Sequence, residues 1–289
     1  MTVSNQVVKI IECPRDAMQG LHDFIPTATK IRYINQLLKS GFDTIDFGSF
    51  VSPKAIPQMA DTAKVLEGLE LNAESPKLLA IVGNQRGAND AGKFEQVRYL
   101  GFPFSISETF QQRNLNSSIA ESVERVKAIQ EIATRHNKEL VVYVSMGFGN
   151  PYGDPWSAEV AESWVDKLVA MDIGIISLAD TIGVADPESI AYLFGHLIPK
   201  FPKVEFGAHL HTTPDAWLEK IDAAWKNGCR RFDGAIKGFG GCPMAADDLT
   251  GNMATENIIQ YFNHEQVTTG LDRPAFRESV RMALQVFPV

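Results

Sequence analysis

The sequence predicts an α/β chain folded as a single (β/α)8 barrel with a helical extension at its C-terminal end. Three observations carry that expectation. Short β-rich runs alternate with longer helical patterns eight times, over roughly the 250 residues that such a barrel takes. No shift in composition marks a linker along the 289 residues. No Gly-x-Gly-x-x-Gly turn follows the first strand, as the open doubly wound alternative would favour. The barrel is expected over about 7–262 and the extension over about 263–289, as one domain.

In order, Val7–Glu12 is the first strand candidate, followed by a helix over Thr27–Ser40 that Gly41 closes. Phe42–Phe47 is the second strand, and Pro53–Leu69 its helix. Lys77–Val82 makes the third strand, with a helix over Asp90–Leu100. Phe102–Ser107 is the fourth strand, weakened by Pro103. Ser117–His136 is a long amphipathic helix, with Ile119, Val123, Val126, Ile129 and Ile132 near helical spacing. Glu139–Ser145 is a valine-dense fifth strand, with a helix over Ser157–Met171. Ile173–Leu178 is the sixth, and Asp186-Pro187-Glu188 opens its helix with a capping aspartate and a proline at the first position. Val204–His211 is the seventh, with a helix over Pro214–Asn227 ended by Gly228. Arg230–Ile236 is the eighth. Further helices start near Ala254 and Pro274.

With 45% hydrophobic residues the chain can bury one large core, and a formal charge of −8 argues against a nucleic-acid surface. No apolar run approaches the eighteen or so residues that span a bilayer, so no membrane partner is expected. The first residues lack the charged and apolar regions of a signal peptide. Three cysteines, Cys13, Cys229 and Cys242, make no disulfide framework. The reducing cytoplasm is the expected compartment.

In such barrels chemistry collects at the C-terminal ends of the strands. Those ends are rich in polar groups: Cys13-Pro14-Arg15-Asp16, Asp46-Phe47-Gly48-Ser49, Tyr143–Met146, Asp180-Thr181 and His209-Leu210-His211. Side chains at i and i+2 of a strand share a face, so His209 and His211 can meet at one point. With Asp16 across the barrel they suit an octahedral Mg²⁺ or Mn²⁺ better than zinc, whose catalytic sites more often recruit three nitrogen or sulfur ligands. Arg15 beside such a metal can hold a carboxylate or an enolate oxygen, or else form a strand-end salt bridge. Asp180, Asp233 and Glu12 read equally well as ion-paired groups that orient loops. After the eighth strand comes the glycine-rich run Gly238-Phe239-Gly240-Gly241-Cys242-Pro243-Met244, a pliant loop with a thiol at its end.

Together these pieces resemble the 3-hydroxy-3-methylglutaryl-CoA (HMG-CoA) lyase family of metal-dependent TIM-barrel lyases. The likeness runs from Val8 to about Thr269. It is dense at Pro14-Arg15-Asp16-x-x-Gln19, Ser49–Lys54 with Pro57-Gln58-Met59, Ser177–Val184, His209-x-His211, and Gly240-Gly241-Cys242-Pro243 through Gly251-Asn252-x-Ala254-Thr255-Glu256. The resemblance implies that Asp16, His209, His211 and Asn252 are metal ligands, and that Arg15 polarises the thioester carbonyl. It implies that Cys242 closes over the substrate and moves a proton. Gln19, Asp46 and Asp180 join the catalytic set, and Lys54, Gly240 and Gly241 the acyl-CoA contacts. Retro-Claisen cleavage to acetyl-CoA and acetoacetate by a homodimer is the implied activity.

The chain departs from the family pattern in several places. Asp46 replaces a glutamate, Thr212 an aspartate and Met146 a cysteine, and the segment between Cys242 and Asn252 is one residue longer and lacks the family's usual basic residue near Ala246. Two other readings stay open. One is a Claisen-condensing synthase of the same superfamily, which would carry a glutamate–arginine loop where Gly-Gly-Cys-Pro stands. The other is a non-catalytic metal-binding descendant.

Overall fold

The computed structural model describes residues 7–241 and 250–287. Eight parallel strands close on themselves in sequence order, the last pairing with the first. Strand β1 (Lys9–Glu12) runs straight into a short helix α1 (Pro14–Gln19), then α2 (Thr27–Leu38). There follow β2 (Thr44–Ser49), α3 (Thr62–Glu67), β3 (Lys77–Ile81), α4 (Gln85–Gly92), β4 (Val97–Ser105), α5 (Glu108–Leu115) and α6 (Ile119–Arg135). The second half holds β5 (Glu139–Ser145), α7 (Ala158–Val169), β6 (Ile175–Asp180), α8 (Pro187–Lys200), β7 (Glu205–Leu210), α9 (Trp217–Lys226) and β8 (Arg231–Gly234). Helices α10 (Thr255–His264) and α11 (Arg273–Val286) lie beyond the barrel strands.

The two-residue period of the strands divides the apolar residues between two cores. Leu78, Ala80 and Val82 join the large core with the helices, whereas Leu79 and Ile81 join a small separate cluster with Tyr99, Val141, Tyr143 and Ile175. Alternate side chains of β3 thus face outward to helices and inward to the barrel axis. Helix starts are fixed locally. Ser118 with Glu121 and Asp186 with Ser189 form capping boxes at α6 and α8, and Pro187 occupies the first turn of α8.

Four local expectations are corrected. The helix expected over Asp90–Leu100 ends at Gly92, and Val97–Leu100 belong to β4. The helix over Pro53–Leu69 is a turn, a 3-10 turn at Pro57–Met59 and the short α3, because Pro57 cannot lie inside a helix. Arg15 and Asp16 sit on α1 and not at a bare strand end, and α5 is an additional helix. Pro103 is inside β4 without breaking it. The β3 partnership of β4 stops at Gly101, so Pro103 pairs only with β5, opposite Tyr143. On that stretch β4 is locally an edge, where a missing N–H costs no ladder bond.

Helix α11 is tied to α2 by Gln36 Nε2 donating to the Ala275 carbonyl and by the Ser40–Ser279 hydroxyl pair. Phe287 at its end packs edge-on against Tyr33 and lies over Phe239, ring centroids 4.8 Å apart. Phe239 immediately precedes Gly240, so the C-terminal helix braces the start of the glycine-rich loop.

Candidate active site

A cavity of about 420 Å³ opens at the C-terminal ends of the strands. Arg15, Asp16, Gln19, Ser49, His209 and His211 are among its lining residues, with an apolar wall that includes Val51, Ile81 and Phe110. The α1 turn sets Gln19 beside both Arg15 and Asp16, since it lies i+4 from one and i+3 from the other. Pro14 at its first position suits a helix start, where no N–H is needed.

Arg15 is clamped on three sides. Its Nε and Nη2 donate to Asp46 Oδ2 at 3.0 and 2.6 Å, and Nη1 donates to Asp16 Oδ1 at 2.9 Å and Gln19 Oε1 at 2.8 Å. A guanidinium has five N–H groups. Among the described residues four are thus engaged, and a proton on Nη2 is left to meet a ligand. Gln19 Nε2 closes the ring by donating to Asp16 Oδ1 at 2.6 Å. Burial tends to raise the Asp16 carboxyl, but Arg15 and the two imidazoles outweigh it and hold the group at about 2. For Asp46 burial wins over the Arg15 contact and pushes its pKa up to about 6.

The ligand atoms of Asp16, His209 and His211 all lie within 4.8 Å of one another. Each side chain is prepared for a cation. Burial, with the charge on His209 next, depresses the His211 pKa to about 4, so the ring is neutral near pH 7. Among the described residues its buried Nδ1 has no hydrogen-bond partner. For His209 burial would lower the pKa, but the Asp233 contact and charge raise it instead. His209 Nδ1 lies 3.1 Å from Asp233 Oδ2, a carboxylate–imidazole contact that fixes ring orientation as in many metal sites. Asn252 is drawn in by an antiparallel bridge to His211, and its Nδ2 donates to Asp16 Oδ2 at 2.9 Å and to the Phe239 carbonyl at 2.8 Å. With both amide protons held, its Oδ1 is oriented and available. An ionised carboxylate, neutral imidazole and an amide oxygen form a donor set that can hold a divalent ion.

The remaining expected site residues are placed as follows. Gly240 has φ +91, and a Cβ there would come within 2.7 Å of the Asp16 carbonyl and 2.9 Å of Asn252 Nδ2. The loop can pass so close to Asp16 and Asn252 only as glycine. Gly241, also at positive φ, follows it. Cys242 lies outside the described residues. Lys54 is exposed on the loop after β2, beside the cavity-lining Ser52 and Ala55. Asp180 does not line the cavity. Its Oδ2 accepts from Lys220 Nζ at 2.7 Å, and its Oδ1 takes the N–H groups of Val184 and Ala185.

Three participants escaped the sequence reading in this role. Lys220 also donates to the carbonyls of Gly183 and His211, each at 3.0 Å, so it fixes the backbone of a site histidine. Tyr143 lines the cavity, its ring edge-on to His209 with centroids 5.6 Å apart. Asp233 pairs in register with His209 across β7 and β8. The matching strand ends were the available signal for Asp233; a lysine midway along α9 carries none.

Comparison with known proteins accounts for this arrangement. The family model described as HMGL-like matches residues 8–282. The chain belongs to that family. A Pseudomonas aeruginosa protein named 3-hydroxy-3-isohexenylglutaryl-CoA/hydroxy-methylglutaryl-CoA lyase is 35% identical, over 93% of this chain and 89% of the relative. The (R)-citramalyl-CoA lyase of Chloroflexus aurantiacus is 32% identical, over 93% of this chain and 88% of its own. Among solved structures, an Acinetobacter baumannii HMG-CoA lyase in complex with coenzyme A and 3-methylmalate superposes with a TM-score of 0.91. It is 30% identical, with 99% of this chain and 93% of that one covered. As a member of this family the protein is an enzyme of the carbon–carbon lyase class. Among the described residues, no helix is long and apolar enough to cross a membrane.

Proposed function

We propose that this enzyme cleaves HMG-CoA, or a close 3-hydroxyacyl-CoA, by retro-Claisen chemistry, releasing acetyl-CoA and, from HMG-CoA, acetoacetate. The observation that carries the reading is the convergence of Arg15 with Asp16, His209 and His211 on one cavity. The relatives named above act on HMG-CoA-type and citramalyl-CoA substrates, so the family is compatible with more than one acyl group.

Asp16, His209, His211 and Asn252 are the proposed ligands of Mg²⁺ or Mn²⁺. Such an ion supplies Lewis acidity toward the substrate hydroxyl, easing loss of its proton. The protein does the rest. The unengaged Nη2 proton of Arg15 faces the thioester oxygen, where negative charge gathers as the C–C bond breaks. Asp46 and Gln19 keep the guanidinium from swinging away, an orientation worth most when the site is dry. Cys242, carried by a loop that Gly240 and Gly241 allow to lie against the ligands, is the proposed proton carrier to the enolate carbon. Lys54, at the cavity mouth, suits the anionic coenzyme A moiety, and Asp180 acts through Lys220 on the backbone of the site. A cytoplasmic homodimer completes the proposal, consistent with free Cys13 and Cys229.

The decisive experiment follows acetyl-CoA release from a panel of 3-hydroxyacyl-CoA thioesters, HMG-CoA and citramalyl-CoA included, with Mg²⁺ or Mn²⁺. Release from HMG-CoA supports the reading. Release only from another member moves the substrate, and no release from any member overturns it.

A further inference from the structure

Beneath the Asp16–His209–His211 group lies a second one. Ligand atoms of Cys13, His209 and Asp233 also lie within 4.8 Å of one another. We propose that Cys13, His209 and Asp233 form a second cation site, selective for thiophilic ions such as Zn²⁺, Cd²⁺ or Co²⁺, which shares His209 with the Asp16–His209–His211 group.

Four features of these residues support it. Cys13 stands at the N-cap of α1, where a side-chain acceptor would be expected, yet it makes no capping bond. Among the described residues its thiol makes only a long 4.0 Å contact to the Ile11 carbonyl, so the sulfur has no strong partner there to give up. The Cys13 N–H donates to the Gly234 carbonyl at 2.8 Å, pinning the end of β1 to the end of β8, one residue beyond Asp233. Asp233 is 3% exposed, and among the described residues its buried Oδ1 has no hydrogen-bond partner. A buried, unsatisfied carboxylate oxygen is costly, and a cation relieves that cost directly.

The geometry is near what such an ion requires. His209 Nδ1 and Asp233 Oδ2 are 3.1 Å apart. Two nitrogen or oxygen ligands on one tetrahedral zinc, with bonds of about 2.0 Å, stand about 3.3 Å apart. Sulfur, imidazole and carboxylate together favour borderline and soft ions, whereas Mg²⁺ prefers an all-oxygen or oxygen-rich shell and keeps its waters. Binding releases the thiol proton and the proton shared between His209 and Asp233. It also places positive charge beside the upper group. Thiophilic ions should therefore oppose Mg²⁺ at the upper group, so the second site is an inhibitory one.

The test needs no turnover, and its outcome is separate from that of the lyase proposal. Co²⁺ is titrated into the full-length Cys242→Ser protein in saturating Mg²⁺, so that the loop thiol cannot contribute, and thiolate-to-cobalt charge-transfer absorbance is read. The expected result is a saturable band at one ion per chain. Cys13→Ser should abolish it, and Asp233→Asn should weaken affinity by at least about tenfold. Absence of the band, or a band unchanged in Cys13→Ser, overturns the proposal. Should Cys13→Ser fail to fold, cadmium NMR on the protein with Cys13 intact decides: a thiolate-shifted resonance supports the site, and an oxygen–nitrogen shift overturns it.

Discussion

Replacing Lys220 by methionine is the sharpest probe of how the barrel holds its site. The Lys220 and Asp180 side chains are 3% and 0% exposed, and their ion pair is 2.7 Å long. Lys220 makes two further bonds, to the Gly183 and His211 carbonyls. Removing one partner of a buried pair costs about 3–5 kcal/mol, because the other charge is left uncompensated. Burial already holds the Asp180 pKa above its usual range, against the pull of Lys220. Without Lys220 nothing of its pull opposes burial, so the carboxyl takes up a proton more readily, which limits the loss. Val184 and Ala185 N–H groups also still reach Oδ1. The expected cost is therefore about 3 kcal/mol, at the lower end of that range. Asp180→Asn should cost a similar amount by stranding the ammonium group. The double variant leaves no buried charge and should recover about 2 kcal/mol of the sum. Urea unfolding at pH 7 measures all four proteins, and a shared m-value certifies the comparison. Turnover supplies the second axis. If Asp180 acts through the frame, activity returns with stability in the double variant; if it touches substrate, the double variant is stable and inactive. A Lys220→Met cost below about 1 kcal/mol, the level of an exposed pair, would refute the reasoning.

Three further outcomes follow from the geometry. Burial, only partly offset by hydrogen bonds from Thr255 and the Ile236 N–H, raises Glu12 from 4.5 to about 8. A raised carboxyl binds its proton more tightly when folded, so its contribution is full below about pH 4.5 and is lost as pH climbs toward 8. Relative to Glu12→Gln, the parent should lose up to about 1.4 kcal/mol per pH unit in that window; parallel stability curves would contradict this. Asp46→Ala frees Nε and Nη2 of Arg15 and should lower kcat at least about tenfold, some 1.4 kcal/mol, while Asp46→Glu should largely restore it. Equal turnover in parent, Ala and Glu variants would make Asp46 a bystander. Chelation should abolish activity and Mg²⁺ or Mn²⁺ restore it, and His211→Ala should weaken Mn²⁺ binding measured by calorimetry, since it removes the buried neutral ligand. Full turnover in excess chelator would remove the metal from the mechanism.

The barrel was legible because its signal is repetitive. Valine-rich strands such as Glu139–Ser145 and capped helices such as α8 each obey a local rule, and eight repetitions leave little alternative. Misreadings fell where a tertiary contact overrides the local rule. Val97–Leu100 continues a helical pattern on paper, yet those residues pair with β3 and β5. Pro103 looked like a weakness because the sequence does not reveal that β3 stops short beside it. The grouping of the two histidines was legible for the opposite reason: His209 lies near the end of β7 and His211 just beyond it, and the i, i+2 rule turns both to one side before any fold is known.

What stayed hidden is the support behind the proposed ligands, and the reason is physical. Lys220 lies nine residues beyond His211 and forty beyond Asp180, so no helical or strand period relates them. The barrel closure brings them together, and the low dielectric of the interior makes the pairing consequential. Cys13 is the complementary case. In the sequence it is a small residue before Pro14, with no motif of its own, and Asp233 reads as one of several loop-orienting carboxylates. Only the β1–β8 closure, with the Cys13 N–H on the Gly234 carbonyl, brings that thiol within 4.8 Å of an Asp233 carboxylate oxygen. Side chains that gain their chemistry from closure have no one-dimensional signature. In this barrel they are the groups most in need of mutation, because the proposed ligands, which announce themselves in sequence, are held in place by partners that do not.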